Sequence, residues 1–171
     1  MSTRIDIKAT AAAPVGATLL KTGQTTSYRT GDDGDIEAGR ATSFSVLENN
    51  NPFGNTNRFT DELGGQTYTN NIVIDWSTYD GAHVLGYYRV VSASDVTWNT
   101  AIDAAAQLSV VGYTSGWRLP NKREIENIAN YQLASIFNYS PFNFPSSSIW
   151  ISTTYAASTT IAFLASSSWI N

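Results

Sequence analysis

A chain of 171 residues is long enough to bury one sizeable core and too short for two ordinary domains. Only 14% of its residues are charged, the formal net charge is -4 and the ten Lys and Arg are scattered, so there is no basic stripe of the kind that grips a phosphate backbone and nucleic acid is not expected as a partner. The absence of cysteine removes disulfides, thiolate nucleophiles and thiolate metal sites together.

The opening MSTRIDIKATAAAPVG has no apolar core of the length a secretory signal needs, and no later run approaches the ~18 to 20 apolar residues of a membrane span. Synthesis in the cytoplasm is expected. Residues 1–27 are Ala- and Thr-rich and cannot build a core alone. They read either as a flexible leader or as an extended arm that orders against a partner subunit, which leaves 28–171 as the single domain. The segment TGDDGDIEAGR places Asp32, Asp33 and Asp35 around Gly34. Close carboxylates in a glycine-containing loop suit calcium through oxygen ligands, although the spacing does not follow the EF-hand. The other reading is a solvated turn whose aspartates bond their own backbone.

Phe44, Val46 and Glu48 alternate as a strand, followed by the turn-rich loop NNNPFGN. Arg58 to Asp61 opens another strand, and Glu62 to Gly65 is a tight turn into Gln66 to Thr69, which predicts a hairpin. NNIVIDW reads as a buried strand, HVLGYYRVV as a second, with STYDGA between them. The single histidine, His83, stands at the edge of the second strand; without a second histidine or a cysteine it reads as a surface or packed residue.

Over 97–109 the residues Trp98, Ala101, Ile102, Ala105 and Leu108 recur at helical spacing, with Asn99, Asp103 and Gln107 opposite. Thr97 is the expected N-cap. Trp117, Leu119 and Pro120 then form a short extended connector. A second helix follows, with Asn121 as N-cap, Glu124 in capping-box position and Ile125, Ile128 and Ala129 as its buried stripe. Leu133 to Ser147 is a long aromatic loop containing Phe137, Tyr139, Phe142 and Phe144, and the last segment alternates as two or three short strands. By pattern alone the chain is α+β, mostly strand.

Trp98 to Leu108 followed by GYTSGWRLPNKREIENIANY resembles the Lcl C-terminal-like domain of bacterial and phage proteins. That family carries a Trp-led helix, Gly-Tyr, Trp-Arg-Leu-Pro, Asn or Thr, and a Glu-containing helix. LLKTGQTTSY with TGDDGD, RFTD, NNIVIDW and IWISTTY extend the likeness over most of residues 19–155. The same block is similar to the formylglycine-generating and sulfatase-modifying group. Both resemblances imply a C-type-lectin-like fold, in which two short helices flank small antiparallel sheets and long loops. The cysteines common in the family are missing here, which excludes disulfide bracing and the thiol chemistry of the formylglycine enzymes. The chain also ends soon after IWISTTY, where many relatives carry a further strand; the closing strand is then shortened, or supplied by the N-terminal segment or a neighbour. The Glu-Pro-Asn and Trp-Asn-Asp motifs of calcium-dependent sugar binding in lectin relatives are absent.

Three functional classes follow. Catalysis needs paired titrating groups in contrasting environments, yet Arg118 and Glu124, the one tempting pair, are accounted for as connector and cap. A recognition module would use the loops: Asn50, Asn51 and Phe53, then Tyr79 and Asp80, then Asn138, Tyr139 and Phe142. A virion component (tail, fibre or capsid decoration) fits the Thr/Ser/Asn/Gly-rich strand character and the arm, which would dock on other virion proteins while the head meets a host-surface glycan or protein. The expectation is a non-enzymatic, homo-oligomeric virion protein with a lectin-like head, the alternative being a bacterial cell-surface adhesin or glycan-binding module. No cofactor is expected apart from calcium at Asp32, Asp33 and Asp35.

Overall fold

The computed structural model describes residues 22–36, 43–90, 96–110, 112–144, 149–155 and 158–165; most of the expected arm and the side chains beyond Thr154 lie outside these. A single helical turn, α1 (Asp33–Ile36), precedes a three-stranded antiparallel sheet of β1 (Phe59–Thr60), β2 (Ile72–Asp75) and β3 (Leu85–Tyr88), in that spatial order. Helices α2 (Trp98–Ala106) and α3 (Lys122–Asn127) follow, then an antiparallel pair of β4 (Ile149–Tyr155) and β5 (Ser158–Ala165). This is an α+β chain.

The IVID run is apolar at three successive positions because β2 is the middle strand and is covered on both faces: every residue from Ile72 to Asp75 is buried. Asp75 pairs with Phe59 on one side and Leu85 on the other. The predicted hairpin of 58–61 with 66–69 does not form. Instead the Asp61 carboxylate accepts the backbone N–H groups of Leu63 (3.0 Å), Gly65 (2.8 Å), Thr67 (3.2 Å) and Tyr68 (3.4 Å), so a side chain takes the donors that a ladder would have used. Burial pushes the Asp61 carboxyl up, but these four donors outweigh it and hold the group below the ordinary aspartate range. The predicted strand at 44–48 is likewise a turn. Val46 N–H returns to Ser43 O, while Leu47 N–H on Thr56 O (2.8 Å) and Arg58 N–H on Ser45 O (2.9 Å) close the base of the Asn-rich loop.

Both helices start where the caps predict. Thr97 Oγ1 accepts Thr100 N–H, and Asn121 and Glu124 form a reciprocal capping box, at 3.0 and 2.8 Å. Along α2 the five stripe residues are half-buried while Asn99, Asp103 and Gln107 are exposed, as the periodicity requires. The indole N–H of Trp98 donates to Ile151 O at 2.9 Å and ties the helix to β4. From α3, Ile125, Ile128 and Ala129 enter the main core, where they meet Phe59, Val73, Ile136, Phe137, Phe142 and Ile151.

The aromatic loop is irregular in backbone, as expected, but its rings point inward. Phe137, Phe142 and Phe144 are buried. Phe142 lies within 5.2 to 5.7 Å, ring centre to ring centre, of Phe59, Tyr87, Tyr139 and Phe144. Arg89 fastens this loop to the sheet: its guanidinium donates to Asn71 Oδ1 (3.1 Å), Pro141 O (3.0 Å) and Tyr68 O (3.3 Å) and lies 5.3 Å from the Tyr68 ring centre. Tyr68 thereby holds a left-handed backbone (φ 55°) that a bulky residue rarely adopts.

Candidate functional site

At the centre of the molecule stands an ion pair with no solvent exposure on either side chain. Arg58 Nε and Nη2 each reach an Asp75 carboxylate oxygen at 2.9 Å. The same guanidinium donates to Phe44 O (3.2 Å) and Asn127 O (2.6 Å) and lies over the adjacent rings of Phe44 and Phe59, 4.6 and 4.5 Å from their centres. Asp75 accepts further bonds from Asn127 Nδ2 (3.0 Å), Ser77 N–H (3.1 Å) and Ser77 Oγ (2.6 Å). Two charges are tolerated here because the pair is bidentate and the surrounding donors and carbonyls complete its hydrogen bonding.

This network sets the position of two surface loops. Asp75 caps the short 3-10 helix Trp76–Thr78, and Trp76 N–H donates to Arg58 O at 2.9 Å. The Trp76 indole N–H donates to Thr60 Oγ1 (2.8 Å), whose own hydroxyl donates to Asp61 O (2.8 Å). The half-buried Trp76 ring then meets both Phe53 and Tyr79, each edge to face with centres 5.7 Å apart. Phe53 is 48% exposed and Tyr79 45%. These three rings form an outward-facing platform that joins the 49–57 loop to the 77–81 turn.

Each outer ring is pinned. Phe53 N–H donates to Asn51 Oδ1 (2.9 Å), while Asn51 Nδ2 reaches Asn55 Oδ1 (3.0 Å) and Asn57 O (3.1 Å). The Phe53 ring also lies directly over Gly64, where an added Cβ would sit 2.3 to 2.6 Å from its atoms, and Gly64 has φ +82°. The Tyr79 hydroxyl donates to Gly81 O at 2.9 Å. Replacing Gly64 by Ala should cost about 1–2 kcal/mol for the left-handed backbone alone and drive Phe53 off its seat. Urea denaturation and the change in near-ultraviolet circular dichroism between parent and variant read both effects; an unchanged midpoint with an unchanged aromatic signal would refute the packing.

The site residues expected from sequence therefore separate. Phe53, Tyr79 and Asp80 are exposed on or beside the platform, and Asn50 is exposed in the same loop. Asn51 is 5% exposed and shapes its loop from within, so it is not available to a ligand. The third loop does not join them as drawn. Phe142 is 1% exposed in the core, and Tyr139 is half-buried with its hydroxyl on Ile128 O (2.6 Å) and its ring on Phe44, Phe59 and Phe142; only Asn138 of that group is exposed. Burial pushes the Tyr139 hydroxyl well above the usual phenol range.

The three aspartates do not converge on a cation. Asp32 accepts the N–H groups of Tyr28 (2.6 Å), Arg29 (3.0 Å) and Asp35 (3.0 Å), bonds that hold its carboxyl below the ordinary range. Asp33 accepts the Thr22 hydroxyl and Asp35 accepts Gly31 N–H at 2.8 Å. Among the described residues no group of three or more His, Asp or Glu is arranged to hold a metal ion. Residues 22–26 of the expected arm lie on the head, where Gln132 Oε1 accepts Thr25 N–H (2.6 Å) and Thr26 N–H (3.1 Å) and Thr22 O accepts Tyr131 N–H.

Arg118 and Glu124 are joined through two bonds of 2.8 and 2.5 Å, and Glu124 also receives Asn121 N–H. The bond from Arg118 is the main reason the Glu124 carboxyl lies below the ordinary range. Trp117 donates its indole N–H to Tyr113 O (3.0 Å), and Pro120 O accepts Ser152 N–H (2.8 Å), so the Trp-Arg-Leu-Pro connector is stitched to itself and to β4. Sequence reasoning missed Arg58, Asp75 and Asn127; the available signal was an aspartate inside an otherwise apolar buried strand. Among the described residues no helix is long and apolar enough to cross a membrane.

No curated protein and no solved structure matches this chain. The sequence model described as the Lcl C-terminal domain matches residues 48–170, a span that takes in the Asn-rich loop, Arg58, Asp75, the platform turn, both longer helices and the connector between them, and the chain therefore belongs to the Lcl C-terminal domain family.

Proposed function

We propose that the chain is a non-enzymatic recognition module: a C-type-lectin-like head that a phage virion displays, as a tail, fibre or capsid-decoration protein, for adhesion to a host surface. The observation that carries this reading is the platform of Phe53, Trp76 and Tyr79, half-exposed aromatic rings held rigid from below by hydrogen bonds. Aromatic side chains presented without loss of freedom on binding are what recognition surfaces use, because little ordering cost is left for the partner to meet. A non-catalytic reading is favoured by Arg118 and Glu124, which are engaged with each other and with the helix cap. Homo-oligomerisation, with the part of the arm that precedes Thr22 docking on other virion proteins, belongs to the same proposal.

Co-sedimentation of the purified full chain with a panel of bacterial cells tests the recognition half. Binding that falls in Phe53→Ala and Tyr79→Ala variants that remain folded at the assay temperature is the expected result; binding to no cell type, or unaltered binding by both variants, refutes it. Peptides of the chain in density-banded particles support the virion; peptides confined to the cell envelope fraction favour a bacterial surface adhesin instead.

A further inference from the structure

We infer that the platform takes the uncharged pyranose rings of a glycan, with Asp80 accepting their hydroxyl groups; this rests on the recognition reading above. Size is the first argument. Phe53 and Tyr79 are 48% and 45% exposed, so together they offer on the order of 200 Å² of ring surface, against about 800 Å² per partner in a stable protein interface. One or two sugar rings match that area, whereas a folded protein partner would have to recruit surface well beyond the two rings.

The chemistry agrees. An aromatic face carries negative quadrupolar charge and attracts the weakly positive C–H groups on the flat side of a pyranose. The hydroxyls at the sugar's rim then need acceptors at the platform's edge. Asp80, next to Tyr79, supplies one: its Oδ1 is fixed by the N–H groups of Ala82 (2.9 Å) and His83 (2.7 Å), while its Oδ2 has only a long 3.4 Å approach to His83 Nδ1. The side chain is 62% exposed, and the backbone N–H groups of His83 and Ala82 hold its carboxyl below the ordinary range.

Charge narrows the ligand further. Across 49–57 and 76–83, the two segments that build the platform, Asp80 is the one fixed charge, and no Lys or Arg is present. The nearest arginine in sequence, Arg58, is buried and paired with Asp75. Sulfated or uronic acid glycans would meet the Asp80 carboxylate without a Lys or Arg from either segment to offset it, whereas neutral hexose or N-acetylhexosamine chains meet no such repulsion.

The test applies the full chain to an array of neutral, sulfated and uronate polysaccharides, with calorimetric titration against each neutral glycan that scores. Neutral glycans should bind, and Phe53→Ala, Tyr79→Ala and Asp80→Asn should each weaken binding roughly tenfold, the loss of about 1.4 kcal/mol. Tyr28→Ala, 83% exposed outside the platform segments, should bind like the parent. Binding confined to sulfated or uronate chains, neutral binding untouched by all three platform variants, or no binding on the array would each overturn the inference. Cell co-sedimentation separates its failure from that of the recognition reading. Cell binding abolished by protease but resistant to periodate, which cleaves vicinal diols, rejects the glycan and keeps recognition. No cell binding at all rejects both.

Discussion

Arg58→Met should destabilise the fold by about 3–5 kcal/mol, because it strands the Asp75 carboxylate in a site without solvent access. The loss exceeds that of an ordinary surface ion pair because the guanidinium makes four hydrogen bonds and lies over two rings, contacts that methionine replaces only in part. Adding Asp75→Asn in the same chain should cost little more, or restore some stability, since it removes the uncompensated charge. A double-mutant cycle in urea reads the coupling directly. A single-variant loss below about 1 kcal/mol, the range of exposed pairs, would show that the ion pair does not hold the core.

The second large effect is expected at Phe142→Ala, about 3–5 kcal/mol, from the loss of a buried ring and the cavity left behind. Its ring is the shared neighbour of Phe59, Tyr87, Tyr139 and Phe144, so the surrounding side chains cannot close the space without giving up contacts of their own. Phe53→Ala is the matched control: the same atoms are removed from a half-exposed ring, and the loss should be much smaller. Thermal unfolding of the two variants side by side is decisive. Equal shifts would mean that the aromatic loop is not the interior of the molecule.

That contrast also marks how far the sequence could be read. The helices were legible at Thr97 and Asn121 because caps and apolar stripes are local: a side chain and a backbone group within four residues settle them. β2 was legible as a buried strand for the same reason. Sidedness in the aromatic loop was not, since Phe137, Tyr139, Phe142 and Phe144 follow no helical or strand period that distinguishes inside from outside. The hairpin expected at 58–69 failed because one carboxylate, Asp61, took the donors of four later residues, a competition that turn propensities do not register. Of the proposed recognition surface, Phe53, Tyr79 and Asp80 were found by composition of their loops. Trp76 and Gly64 needed the fold, which brings positions 53, 64 and 76 together through pairings far apart in the chain.

Arg58 touches segments at 44, 75 and 127, and the two platform loops spring from residues that it or Asp75 holds. Fixity thus begins at the roots of the loops and is carried toward their tips by Asn51 and Asp80, which bond the turns from within. Substitutions at the exposed Asn50, Pro52 or Ala82 should alter what is displayed while the Arg58–Asp75 frame beneath keeps its shape.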